Sequence, residues 1–452
     1  AHSGHSSGAI FFDYDNDGRL DLLVTQVGVY TRDQVGPGGY YLALSDAFSG
    51  HLFPERTEYL RLYRNLGQGR FEEVSSALNL RDGSWAGDVI FTDLNGDRFP
   101  DLYLPNMQGD DHYYENQQGR SFRDRTAELF PKTPWGSTGA QFFDFNQDGR
   151  MDLLVTDMHS DMTQRQTEDS VGLRPVIEKT KSEAYCSQQW TEEYLQGSTN
   201  NVFGNALFLN RGDRAFQEIS DAVGVETYWP WGASVGDLNA DGFEDLVITA
   251  GMGFPFRYAV NSVLLNDAGR RFYDVEFLLG VEPRSGPLGK VWFTLDCSGA
   301  DRTNARCAGK TGLVPVYGSL SSRSSVLADL DDDGDLDLVT LELDDRPQVL
   351  FSDLSERRPV RFLKVKLVGT RSNRDGLGAR VEVRAGGRQW TRYHDGKSGY
   401  LGQSSLPLYF GLGESEAVES VEVLWPSGQR QIIERPAIQR VLVVEETAER
   451  GP

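Results

Sequence analysis

Four aspartates fall within nine consecutive positions of the run FFDYDNDGRLDLLV, residues 11–24, and an apolar stretch follows at once. Carboxylates that close repel one another, so the run needs either open solvent or a cation among its oxygens. The same offsets return in DLNGDRFPD (93–101), DFNQDGRMD (144–152), DLNADGFED (237–245) and DLDDDGDLD (329–337), each leading into an apolar run. Five copies at constant spacing are not casual surface acidity. Side-chain oxygens at positions 1, 3 and 5, a backbone carbonyl at 7 and a carboxylate at 9 can surround one hard cation, with glycine at position 6 permitting the tight turn. Calcium accepts roughly six to eight oxygens in flexible geometry and suits this pattern better than magnesium. An EF-hand is excluded, because its loop closes with glutamate at position 12 and this chain has Val24 there.

The candidate calcium ligands, about five sites in all, are therefore Asp13, Asp15, Asp17, Arg19 and Asp21; Asp93, Asn95, Asp97, Phe99 and Asp101; Asp144, Asn146, Asp148, Arg150 and Asp152; Asp237, Asn239, Asp241, Phe243 and Asp245; and Asp329, Asp331, Asp333, Asp335 and Asp337. Arg19, Phe99, Arg150, Phe243 and Asp335 would contribute main-chain carbonyls. The second loop is the weakest of the five, because Arg98 replaces the glycine and would have to take a strained or shifted turn.

A second motif trails the first four loops: LYRNLGQGRF (62–71), YYENQQGRSF (113–122), LFLNRGDRAF (207–216) and VLLNDAGRRF (263–272), with Asn and Phe six residues apart every time. The shortest spacings define a unit of 51 residues, and the longer ones place insertions near 26–55, 158–200 and 280–322. A fifth, degenerate copy puts Ser352 of VLFSDL in register with the Asn. Each unit reads as four strands: one into the acidic loop, one out of it, one ending at the Asn and one starting at the Phe after a hairpin turn. Four short strands repeated at about 50 residues define an all-β fold, a β-propeller. Five blades are expected, or six or seven if the insertions or the N-terminus supply irregular strands. Trp85, Trp135 and Trp231 precede acidic loops and are expected to pack between blades.

The propeller is assigned to residues 1–357 and a second all-β unit to 358–452. Alternation in RFLKVKLVG, ARVEVRA, SVEVLW and RVLVVE gives half-buried strands, and Asp375-Gly376, Gly386-Gly387 and Pro426-Ser427-Gly428 mark turns. A sandwich or small barrel packed on the propeller follows. The acidic repeats resemble the FG-GAP/VCBS calcium-binding repeats of integrin-like propellers. The stretches LVGTRSNRDGLGARVEVRAGG (367–387), SGYLGQSSLPLYFGLG (398–413) and VESVEVLWPSGQRQ (418–431) resemble the ASPIC/UnbV domain. Together they are similar to the cartilage acidic protein family and its bacterial relatives. That resemblance implies calcium on the loop oxygens already named.

A formal charge of −22 argues against nucleic acid as a partner. No run of about twenty apolar residues is present, so no transmembrane segment is expected. No targeting peptide is visible, although a mature form starting at Ala1 would have lost one. The missing N-x-Ser/Thr sequon fits a bacterial source. Cys297 and Cys307 flank CSGADRTNARC and would either close as a disulfide in an oxidising compartment or remain two reduced thiols; Cys186 is left over. His51, His112 and His159 lie in or beside segments that would converge over one propeller face, so a transition-metal site there competes with plain polar surface. His394 and Asp395 in RYHDGKSGY read as a turn with a solvated histidine rather than a metal or catalytic pair. The Arg-Gly-Asp at 211–213 falls in the repeat's own hairpin turn. The polar segment 162–197 reads as a lid or docking arm.

P-loops and dinucleotide fingerprints are absent from the sequence. Three functions fit: a non-catalytic, extracytoplasmic, calcium-stabilised scaffold for protein or glycan recognition; a metal-dependent carbohydrate lyase or hydrolase with a site on the propeller axis; and an accessory subunit of a membrane-associated complex. Calcium sites of moderate affinity place the protein in the periplasm, at the cell surface or in the medium.

Overall fold

The computed structural model describes residues 4–36, 41–44, 56–83, 85–158, 201–202, 204–212, 216–251, 260–284, 289–343 and 345–447. Within them the repeat forms five antiparallel sheets whose strands lie side by side in chain order. Sheet one comprises Ser6–Phe12, Asp21–Gln26, Arg61–Gly67 and Arg70–Glu73. Sheet two comprises Ile90–Thr92, Asp101–Leu104, His112–Asn116 and Phe122–Asp124; sheet three, Ser137–Phe143, Asp152–Asp157, Ala206–Asn210 and Phe216–Glu218. Sheet four comprises Pro230–Gly236, Asp245–Ala250, Ser262–Asn266 and Phe272–Asp274. Sheet five has only Ser322–Ala328, Asp337–Glu342 and Gln348–Leu350.

Two-sided burial explains the sequence of the second strands. Every residue of Asp152–Asp157 and of Asp245–Ala250 is buried, so these segments read as continuous apolar runs rather than alternating ones. Four apolar cores separate successive sheets. Phe12, Leu23, Leu62, Phe91 and Leu102 lie between sheets one and two. Tyr103, Phe130, Phe142, Leu153 and Phe208 lie between two and three. Phe143, Leu154, Leu207, Leu246 and Ile248 fill the gap between three and four, and Val247, Val263 and Leu338 that between four and five. First strands also touch directly: Thr138 Oγ1 donates to Pro230 O at 3.2 Å and Ser234 Oγ to Ser325 O at 2.8 Å. This radial stacking is the propeller architecture, with five sheets described.

The C-terminal strands form two further sheets. One orders Leu408–Gly411, Phe362–Val368 and Val441–Glu445; the other orders Arg388–Tyr393, Arg380–Ala385, Ser420–Leu424 and Arg430–Glu434. They enclose Leu363, Val381, Trp390, Phe410, Val423 and Trp425 as a sandwich core. The chain between the second sheet's first strand and Leu408–Gly411 leaves the sandwich and runs among the propeller's first strands. The Gln403 amide bonds both the N–H and the carbonyl of Phe11, at 2.9 Å each. Ser398 Oγ donates to Ser325 O at 3.3 Å, the Lys397 ammonium pairs with Asp88, and the Tyr400 ring lies 5.3 Å from Trp231. A Cβ at Gly232 would stand 2.7 Å from the Tyr400 backbone, so only glycine admits the segment there. Sheets one and five share no apolar core among the described residues; segment 395–404 bridges them instead.

One sequence expectation is overturned here and others gain detail. His394 is not solvated. It is buried, its N–H donates to Ala379 O at 2.8 Å, and burial pushes its imidazole down to about 4. Trp231 meets Tyr400 and, across to sheet five, the Arg323 guanidinium, 4.1 Å from its ring. Trp85 packs 5.7 Å from Tyr30. The insertion near 280–322 forms a hairpin, Gly289–Asp296 with Leu313–Ser319, stapled by the Cys297–Cys307 disulfide. His112 pairs with Asp82, whereas His51, His159, Cys186, Asp213 and segment 162–197 lie outside the described residues.

Candidate metal loops under the C-terminal domain

Each acidic loop folds around its own first and last aspartates. In loop one the amides of Asp17 and Gly18 donate to the two oxygens of Asp13, at 3.0 and 2.9 Å. Loop two repeats this with Asp97 and Arg98 on Asp93, loop three with Asp148 and Gly149 on Asp144, and loop four with Asp241 and Gly242 on Asp237. In loop five Gly334 donates to Asp329 at 3.0 Å. The fifth-position aspartate accepts from the amide two residues on: Arg19 onto Asp17, Phe99 onto Asp97, Arg150 onto Asp148, Phe243 onto Asp241 and Asp335 onto Asp333.

The ninth-position aspartate does more than close the loop. Asp21 accepts from Tyr14 N and Asn65 N, so one carboxylate ties the loop's second residue to the end of the third strand. Asp101, Asp152, Asp245 and Asp337 make the equivalent pairs with Leu94 and Asn116, Phe145 and Asn210, Leu238 and Asn266, and Leu330 and Ser352. The motif asparagine completes the clip. Asn116 Nδ2 donates to Pro100 O and Asn266 Nδ2 to Glu244 O, both 3.1 Å, while their Oδ1 atoms accept the turn amides of Gly119 and Gly269. Spacing alone marked the asparagine as a turn residue; its bond to the eighth position of the acidic loop depends on the fold.

This frame leaves negative charge buried. Burial pushes Asp13 and Asp21 up to about 7, Asp144 to about 6 and Asp152 to about 8, and raises Asp93, Asp101, Asp237 and Asp245, with neighbouring carboxylates adding to the effect. Loop one brings Asp13, Asp15 and Asp21 within 4.8 Å of one another, and loop five does so for Asp329, Asp331 and Asp333. Asn95, Asn146 and Asn239 take the third position in loops two to four and present an amide oxygen there. Asp15 Oδ1 and Asp329 Oδ1 are buried without a hydrogen-bond partner. A hard divalent cation would satisfy those oxygens and offset the repulsion, so the donor set fits calcium. Two side chains outside the pattern bring positive charge to these clusters: Arg64 reaches Asp15 at 2.7 Å, and Lys364 of the C-terminal domain pairs with Asp329.

All five loops lie under the C-terminal sandwich. Arg380 donates to Gly149 O at 3.1 Å, Arg388 to Asp241 O at 3.0 Å and Tyr409 to Gly334 O at 2.9 Å. A Cβ on Gly18 would meet Arg371 O at 2.7 Å, and one on Gly428 would strike the Arg98 guanidinium.

Repeats of this kind under such a cap define a class. The FG-GAP-like repeat model matches residues 44–104, 93–155 and 193–248, the FG-GAP repeat model matches 229–269, and the ASPIC and UnbV model matches 369–451. The chain is an FG-GAP repeat protein with a C-terminal ASPIC/UnbV domain. Its sequence is weakly similar along its length to cartilage acidic protein 1 of Homo sapiens, with 24% identity over 94% of this chain and 60% of that protein. The Xenopus tropicalis protein of the same name is 23% identical over 94% of this chain and 62% of its own. The chain thus spans about three fifths of the relatives it matches. Among solved structures, rhamnogalacturonan lyase YesW aligns at 13% identity over 94% of this chain and 75% of its own, with a TM-score of 0.26, too low to bear on fold or chemistry.

Proposed function

We propose that the protein is a non-catalytic scaffold for protein or glycan recognition outside the cytoplasm, in which the five acidic loops bind calcium through the residues named above. The observation that carries this reading is the buried, unpartnered carboxylate oxygen inside a hydrogen-bonded frame, together with the placement of every loop beneath the C-terminal domain. Each ion would hold a blade's first turn and the surface on which the cap sits. With calcium at about a hundred times its dissociation constant, each site would add about 2.7 kcal/mol. The Cys297–Cys307 disulfide supports an oxidising compartment, and among the described residues no helix is long and apolar enough to cross a membrane. We divide the chain at residues 357 and 358, where the helix Leu354–Arg357 leads from sheet five towards the sandwich.

The axial lyase or hydrolase reading has less support. Lys397, Tyr400 and Gln403 occupy the space among the first strands where such a site would lie. Metal analysis combined with thermal melting tests the proposal. Five calcium ions per chain and a steep fall in Tm with excess EGTA are expected; a melt indifferent to EGTA would defeat it.

A further inference from the structure

Among the described residues sheet five lacks the fourth strand that its four sisters possess. In sheet four, Leu264, Leu265 and Asn266 pair with Asp274, Tyr273 and Phe272. The shared register with the second strand, Leu338 with Leu350 as Leu246 with Leu264, makes Leu350, Phe351 and Ser352 the equivalents. After Ser352 the chain turns into the helix Leu354–Arg357, tied to loop five by the bond from Ser355 N to Asp335, and goes on to the C-terminal sandwich instead of returning along the sheet. Among the described residues no strand pairs with the outer edge of Gln348–Leu350.

We propose that this edge receives an extended segment of another polypeptide, which adds the fourth strand. An open edge offers unpaired amides and carbonyls to such a strand, and side-chain pockets choose its sequence. The sister strands describe the guest: Phe71-Glu72-Glu73, Phe122-Arg123-Asp124, Phe216-Gln217-Glu218 and Phe272-Tyr273-Asp274 all read Phe-x-acidic. Their leading ring seats near the second residue of the preceding acidic loop: Phe122 lies 6.5 Å from Tyr14, and Phe272 lies 5.3 Å from Phe145. The corresponding residue for sheet five is Leu238, which is half-buried. The inference does not depend on calcium.

A synthetic peptide of residues 271–277, RFYDVEF, titrated into the full chain tests it. Saturable one-to-one binding is expected, with slowed exchange at the outward amides of Val349 and Phe351, and a backbone N-methylated peptide should not bind. Phe351→Glu, at an exposed position whose fold is checked by its melt, should weaken binding roughly three-fold by removing the apolar partner that faces the peptide's tyrosine. Absence of saturable binding, equal binding of the N-methylated peptide, or slow exchange at the outward amides of Val349 and Phe351 before any peptide is added would each overturn the proposal.

Discussion

Loops one and two reach the same backbone path with their single glycine in different places. In loop one Asn16 and Gly18 are left-handed, at φ of 54° and 85°; in loop two Gly96 and Arg98 are, both at 76°. Loops three, four and five follow loop one, with Gln147, Ala240 and Asp332 paired with Gly149, Gly242 and Gly334. Every loop therefore holds one glycine and one strained non-glycine residue, so Arg98 adds no extra strain to loop two. The path matters because it aims two consecutive amides at the first aspartate. At the domain interface the exchange is reciprocal: loop one presents a glycine to Arg371, whereas loop two presents an arginine to Gly428.

The largest effect that can break this equivalence is metal loss. Asp13→Asn and Asp93→Asn should each remove one calcium per chain and about 2.7 kcal/mol of stability at saturating calcium. Calorimetric titration that finds loop two silent while loop one binds would end the equivalence. Next in size, Gly18→Val should destabilise by about 2–3 kcal/mol, since it strains a left-handed position and collides with Arg371 O, and denaturant melts measure it. Gly428→Val should act similarly from the opposite side of loop two, through Arg98.

Acidity separates the loops more gently. In chelator, Asp13 and Asp21 of loop one titrate near 7 and Asp152 of loop three near 8, above the ordinary value of 3.8. The native state then binds more protons than the unfolded one between those limits, so Tm should fall as pH rises from about 4 to about 8. Saturating calcium should abolish that slope. Smallest of all, Arg98→Gly should change stability by less than about 1 kcal/mol, because relief of the turn is set against a void beneath Gly428.

The aspartates, the strand order and the apolar second strands were legible in the sequence because each is a local pattern: fixed offsets, a repeated hairpin turn and runs of buried residues. The double duty of Asp21 and its equivalents was not, since the amide of Asn65 is 44 positions away and only the sheet brings it back. Arg98 looked anomalous because position 6 was read alone, without Gly96 at position 4. His394 looked solvated because polar neighbours in a turn say nothing of the packing that the fold builds around them. Segment 395–404 reads as an ordinary loop, and its path among the first strands depends on contacts with residues nearly four hundred positions earlier.

That segment also sets the timetable of biosynthesis. A ribosome delivers sheets one to five before it makes the residues that join the first to the last, so the nascent arc must wait with its seam unsewn. Chaperones or early calcium would have to guard those edges meanwhile. A chain stopped before residue 395 should aggregate even with every acidic loop intact.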